Sequence, residues 1–192
     1  MQQLRRKEQS GFTPHRSTTD RIATLRMILQ TRREFRRPTW VGYVDFRAAF
    51  DSVNRQSLWL LLKIKGVPQK LIDLLEDLYT NTVSCVRVDG QVSDWFSISA
   101  GVRQGFAVAP DLFLEPIDWI ASRSVHRGFV GVSLGQEVFT DLDFADDASV
   151  MAEMLEVLIL ALEIMNEESS VLGLEINWNK TGNGNTSLIY HR

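Results

Sequence analysis

The 192-residue sequence predicts an α+β fold, helices layered on a mostly antiparallel sheet, and three observations predict it. Apolar periodicity switches repeatedly between helical and strand spacing along the chain. Two pairs of short strand-like runs flank turn dipeptides, Asp89-Gly90 and Gly135-Gln136. Gly-x-Gly-x-x-Gly, the glycine-rich first turn of a doubly wound parallel fold, is absent.

The elements follow in order. Thr18 to Phe35 carries Ile22, Leu25 and Leu29 at helical spacing with arginines on the other side, and it ends ahead of Pro38. Trp40 to Phe46 reads as a buried strand. Arg55 to Ile64 and Gln69 to Tyr79 form two antiparallel helices, broken at Gly66-Val67-Pro68. Thr82 to Val88 and Val92 to Ser99 make the first hairpin, and Pro110 to Val125 the next helix. Val130 to Leu134 and Glu137 to Leu142 make a second hairpin, Ala148 to Met151 resumes a strand, and Asp146-Asp147 falls in the turn before it. Glu153 to Leu172 is a long helix with Glu156, Glu163 and Glu167 on one polar stripe, stopped by Gly173. No fixed-period repeat or interdomain linker interrupts this order, so one domain is expected.

Composition, 44% hydrophobic and 23% charged, is that of a globular chain able to bury one core. The single Cys85 excludes an internal disulfide framework and reads as a small buried apolar residue, which points to an intracellular, reducing compartment. No apolar run approaches the roughly 20 residues of a membrane helix, so a soluble protein with no membrane partner is expected. The net charge of -3 conceals a division: residues 1–37 hold 10 Lys or Arg against 3 acids, and the remainder is acidic. Arg16, Arg32, Arg33, Arg36 and Arg37 then form either a basic arm for a phosphate backbone or a solvated, arginine-rich helix face.

Carboxylates carry the chemistry. Asp45 alone at a strand end is an ordinary turn-former or helix cap. Asp146 and Asp147 are adjacent between two apolar strands, where like charge and desolvation are costly and a cation would relieve both. Magnesium prefers oxygen ligands and is commonly held by one or two carboxylates plus substrate phosphates. If their strands are neighbours, Asp45 and Asp146 can bridge two Mg2+ ions about 3.5–4 Å apart, the arrangement that clamps attacking and leaving oxygens in phosphoryl transfer. The ligand type also admits Mn2+.

Three segments in this order, Tyr43-Val44-Asp45-Phe46-Arg47-Ala48-Ala49-Phe50-Asp51-Ser52-Val53, then Gly101-Val102-Arg103-Gln104-Gly105 with Pro110, then Phe144-Ala145-Asp146-Asp147, resemble the reverse transcriptases of LINE-type retrotransposons, those without long terminal repeats. Gln9-Ser10-Gly11-Phe12 with Arg16-Ser17-Thr18-Thr19-Asp20 is similar to the family's fingers motif, and Gly173-Leu174-Glu175-Ile176-Asn177 with Lys180-Thr181 to its fourth palm motif. The resemblance implies a palm-type polymerase domain, residues 1–38 belonging to the fingers and 39–192 to the palm. It implies nucleotidyl transfer from a dNTP to the 3′-hydroxyl of a DNA primer on an RNA template. Asp45 and Asp146 become metal ligands, the Phe46 carbonyl a further metal contact and Asp147 the second acid of the pair. Phe50 becomes the bulk that crowds a ribose 2′-hydroxyl, whereas its spacing alone reads as a core aromatic. Gln104 and Gly105 become part of the nucleotide and template pocket, and Arg103 a phosphate partner that without the family is an exposed charge. Lys180 becomes the lysine that protonates pyrophosphate, or equally a surface lysine.

One departure stands inside the motifs: Phe106-Ala107-Val108-Ala109 replaces the family's small polar start and its serine before the proline, so Ala109 lacks an expected hydroxyl. The family's thumb, first fingers segments and endonuclease have no counterpart in this sequence, and weak or no synthesis by this chain alone is expected, since duplex affinity comes chiefly from many phosphate contacts. A catalytically silent relic that binds nucleic acid through residues 1–37 is the competing reading. A polymerase copying RNA into RNA is a third, opposed by the bulk of Phe50.

Overall fold

The computed structural model describes residues 6, 8–13, 15–126, 131–145, 147–182 and 188–191. Its centre is a four-stranded antiparallel sheet in the order β10-β1-β9-β8, built from β1 (Thr39–Val44), β8 (Asp141–Phe144), β9 (Asp147–Ala152) and β10 (Leu188–His191). Alternation along β1 explains the layering. Trp40 and Val44 face a core made with α5 (Ala109–His126) and α6 (Leu155–Val171), and Gly42 leaves room there for Leu158 and Leu162. Val41 and Tyr43 face α1 (Thr18–Glu34), where Ile28, Leu142 and Met151 close a second, smaller core. Asp45 follows Val41 and Tyr43 in this alternation.

Helix α1 begins on a capping box: the Ser17 hydroxyl accepts the Asp20 amide, and Asp20 accepts the Ser17 amide. The short α2 (Ala49–Ser52) precedes α3 (Arg55–Ile64) and α4 (Gln69–Tyr79), whose bounds match the sequence reading. Their inner faces place Leu58, Leu61, Leu62, Ile72 and Leu75 in the main core. The Asp89-Gly90 hairpin forms as two short ladders, β2 (Val83–Ser84) with β5 (Phe96–Ser97) and β3 (Arg87–Val88) with β4 (Gln91–Val92). Both turn residues have positive φ, 49° and 82°, as a tight hairpin turn of matching twist requires.

Several boundaries differ from the sequence reading. β1 stops at Val44, and Phe46 makes only a single bridge to Ile176. The second hairpin is β6 (Val132–Leu134) with β7 (Glu137–Phe139); after Thr140 the chain changes partners, and Asp141–Phe144 joins the central sheet. Hydrophobicity cannot show this switch, because both halves alternate alike. Asp147 pairs opposite Phe144 as the first residue of β9, so it is a strand residue and not a turn residue. Helix α6 starts at Leu155 because Glu153 is used elsewhere, accepting from Arg32 and from the Ser133 amide. Val130 and Asp146 lie outside the described residues. Helix α7 (Trp178–Gly182) and strand β10 are additional to the sequence reading.

Strand β8 sits on a buried charge cluster. The Arg6 guanidinium donates to both oxygens of Asp141 at 2.7 Å, its backbone amide donates to Asp118, and it lies 3.8 Å from Asp143. Asp143 is fully buried, and among the described residues no donor reaches either of its oxygens. Burial first, then the neighbouring Asp141 charge, push the Asp143 carboxyl well above the ordinary aspartate value of 3.8, against the opposing pull of Arg6. A raised folded-state value means that folding takes up a proton at pH above 3.8, so stability falls as pH rises through that window. Asp143→Asn, an uncharged mimic of the protonated acid, is expected to raise the thermal midpoint at pH 8 and leave it nearly unchanged at pH 4. Thermal melts across that range check this, and equal melts of the two proteins at pH 8 would refute it.

Candidate active site at the ends of the central strands

The central sheet brings two of the sequence-selected acids together. Val44 pairs with Ala148, so Asp45, one residue beyond, and Asp147, one residue before, emerge at the same end of adjacent strands. Both line one cavity of about 300 Å³, together with Lys180, Tyr43, Arg21 and Phe144. Asp146, the residue between Ala145 and Asp147, lies outside the described residues. Among the described residues, no group of three or more His, Cys, Asp or Glu is placed to hold a metal ion.

Asp45 is held by the segment that resembles a fourth palm motif. Residues 175–177 run antiparallel to 45–47: Asn177 donates its amide to the Asp45 carbonyl at 2.8 Å, and Arg47 donates to the Glu175 carbonyl at 2.9 Å. These two bonds flank the Phe46–Ile176 bridge and use the peptide groups of Asp45 and Arg47, so the Phe46 carbonyl is outside that ladder. Side chains complete the grip. Asn177 Nδ2 donates to Asp45 Oδ2 at 3.1 Å, and Lys180 Nζ lies 3.1 Å from Oδ2 and 3.3 Å from Oδ1. Asn177 had no role in the sequence reading beyond membership of the motif. Lys180 thus contacts Asp45 directly, with its side chain 68% exposed.

Phe50 lies beside the loop that follows β5. Its ring stacks on Phe113 at 3.9 Å and meets Phe12 edge-on at 6.4 Å, and its carbonyl accepts the Val102 amide at 2.7 Å. Gly101 fits here because a Cβ would stand 2.6 Å from the Asp51 carbonyl oxygen. Arg103 is exposed, as its residue type alone suggests, and its guanidinium donates to Thr82 Oγ1 at 3.1 Å and lies 5.7 Å from the Tyr79 ring centre. Gln104 and Gly105 are exposed. Arg103 and Gln104 line a different cavity, of about 330 Å³, with Arg55 and Asp51, so they do not share the cavity of Asp45 and Lys180.

The basic residues divide. Arg32 does not belong to a nucleic-acid arm: only 2% exposed, it donates to Thr39, to the carbonyls of Ser133 and Pro38, and to Glu153. Helical spacing turned it inward while its neighbours stay out, and the sequence shows only a run of arginines. Arg33, Arg36 and Arg37 are exposed at one end of α1, and Arg16 is exposed before the other. The 17-residue helix separates the two groups by roughly 25 Å. Among the described residues, no helix is long and apolar enough to cross a membrane.

The family model for "Reverse transcriptase (RNA-dependent DNA polymerase)" matches residues 1–189. The chain belongs to the reverse transcriptase family. Its similarity to curated reverse-transcriptase relatives lies among the Pol polyproteins of R2 retrotransposable elements: 26% identity over 90% of this chain to the Drosophila melanogaster protein, and 29% over 71% to that of Nasonia vitripennis. These are LINE-type elements, in agreement with the motif resemblance. The chain spans 16% and 13% of those two proteins. Among solved structures, apo telomerase from Candida Tropicalis superposes with a TM-score of 0.64 at 17% identity, over 94% of this chain and 37% of that one. A second structure, of telomerase from the same organism in complex with a TWJ fragment of telomeric RNA, matches with a TM-score of 0.62 at 18% identity, over 96% of this chain and 30% of that one. The shared fold is the α+β palm-type fold.

Proposed function

We propose that this reverse transcriptase domain performs RNA-directed DNA synthesis, with Asp45 and Asp146 as ligands of a divalent metal pair and Asp147 as the supporting acid. The β1–β9 register carries the reading. It sets Asp45 beside Asp147, the residue directly after Asp146, although about a hundred residues separate the two segments. The donor set fits Mg2+, or Mn2+, because only hard carboxylate oxygens are offered and the ammonium of Lys180 already rests where a cation would neutralise Asp45. When bound, the two ions activate the primer 3′-hydroxyl and neutralise charge on the triphosphate and the departing pyrophosphate. The Phe46 carbonyl is a further contact for them.

The chain's own residues do the rest. Asn177 fixes the Asp45 carboxylate, and Lys180, which contacts Asp45, hands a proton to the leaving pyrophosphate. Gln104, Gly105 and Arg103 border the incoming dNTP and the RNA template. Residues 1–38 act as part of the fingers, with Arg16, Arg33, Arg36 and Arg37 meeting the nucleic-acid backbone, and residues 39–192 as the palm. The test is primer extension on an RNA template with deoxynucleotides and Mg2+, by this chain and by the chain fused to a thumb domain. Asp146→Asn is expected to abolish incorporation; survival of incorporation at the wild-type rate overturns the metal assignment.

Phe50 selects deoxynucleotides by filling the space of a 2′-hydroxyl, its ring held in place by stacking on Phe113. Phe50→Val is expected to admit ribonucleotides at least about tenfold more readily relative to deoxynucleotides, which is about 1.4 kcal/mol of lost discrimination. Competitive incorporation by an extending form of the protein measures it, and an unchanged ratio refutes the role.

A further inference from the structure

The hairpin β8–β9 reverses through Ala145, which has φ of 57°, a left-handed conformation that is costly for a residue with a side chain. Residues 8–11 run beside β8: the Asp143 amide donates to the Glu8 carbonyl at 3.1 Å, and the Ser10 amide donates to the Asp143 carbonyl at 2.9 Å. Beyond that bridge, the Gln9 side chain, 2% exposed, reaches the turn. Its Nε2 donates to the Ala145 carbonyl at 3.2 Å, and its Oε1 accepts the Ala145 amide at 3.0 Å and the Gly11 amide at 2.7 Å. One amide therefore satisfies both peptide groups of the strained residue. Gly11 lets the segment come this close, since a Cβ there would stand 2.3 Å from Ala145 N.

We propose that Gln9 is a positioning residue of the polymerase site, clamping Ala145 so that the chain enters the Asp146-Asp147 pair in one direction. The inference rests on the metal assignment above and extends it to the N-terminal segment, whose Phe12 also meets Phe50. A neutral primary amide of this length gives a donor and an acceptor to one residue at once. Glutamate lacks the donor, asparagine is a methylene too short, and methionine fills the space with neither.

The test uses the 192-residue chain and two independent readouts. Backbone amide hydrogen exchange by NMR follows the Ala145 amide against amides of the β1–β9 ladder, and Mn2+ binding is followed by electron paramagnetic resonance with the metal alone. In Gln9→Met the Ala145 amide is expected to exchange at least about tenfold faster, the scale of one hydrogen bond, while the ladder amides hold. Mn2+ affinity is expected to drop at least about fivefold, against a larger loss in Asp146→Asn. Gln9→Asn, which retains the chemistry but not the reach, should behave as Gln9→Met does and substitutes for it if the methionine variant does not fold. Unchanged exchange at Ala145 overturns the clamp. Faster exchange with unchanged Mn2+ affinity, where Asp146→Asn does weaken it, overturns the positioning role and leaves the metal assignment standing. If Asp146→Asn binds Mn2+ as the wild type does, the metal assignment fails, and the clamp is then decided by Ala145 exchange alone.

Discussion

Arg32→Ala is expected to lower the unfolding free energy by about 3–5 kcal/mol, the cost of removing one partner from a buried charged network. The side chain donates to Thr39 Oγ1 at 2.6 Å, to the Ser133 and Pro38 carbonyls at 2.7 Å each, and to Glu153 at 2.9 Å. Alanine takes this donor away from all four acceptors, the buried Thr39 hydroxyl among them, and opens a cavity between α1, β1 and β6. Lysine is a poor substitute, because a single ammonium cannot reproduce the planar fork. Urea denaturation gives the number, and a loss below about 1 kcal/mol would exclude a structural role of this weight. The exposed Arg33, Arg36 and Arg37 provide the contrast. Their joint replacement by alanine is expected to change stability by about 0.5 kcal/mol or less per site. It should also weaken RNA binding and flatten the dependence of log affinity on log salt by roughly 0.7 for each phosphate no longer neutralised.

Asp45→Asn is expected to separate fold from chemistry most sharply. Asparagine keeps the backbone carbonyl that accepts from Asn177 and nearly the same shape, so the loss of stability should stay within about 1 kcal/mol. The exposed ion pair with Lys180 contributes little, since the Lys180 side chain is 68% exposed. Incorporation in primer extension, by contrast, is expected to fall by at least about 10²–10³-fold, as when one charge-stabilising group is removed from a preorganised site. Lys180→Ala should cost less, about 10²-fold at most, because a proton donor assists the departure of pyrophosphate without holding the metal. Retention of activity by Asp45→Asn would show that the carboxylate at the end of β1 is not a ligand.

The elements that periodicity specifies were legible without coordinates. Arg55–Ile64 and Gln69–Tyr79 end where the apolar spacing and the Gly66-Val67-Pro68 break say they should, and the Asp89-Gly90 turn has the positive φ values its residue types favour. The misplacements share one cause. Glu153 reads as the start of a helix but serves Arg32 and Ser133; Arg32 reads as one of a basic run but turns inward. Thr140 reads as mid-strand but marks a change of sheet. In each case a partner distant in sequence overrides a local preference.

The same distinction runs through the site. Residue types singled out Asp45, Asp146 and Asp147, because the chemistry of carboxylates belongs to the side chains themselves, and the motif resemblance added Lys180 and indicated the family. Which of them meet was decided only in three dimensions. Strand register joins Asp45 to Asp147, the pairing of 45–47 with 175–177 delivers Asn177 and Lys180, and the Gln9 amide closes on Ala145 from 136 residues away. Pairing energies between distant segments depend on sheet register and close packing, and neither is encoded in the spacing of any one segment.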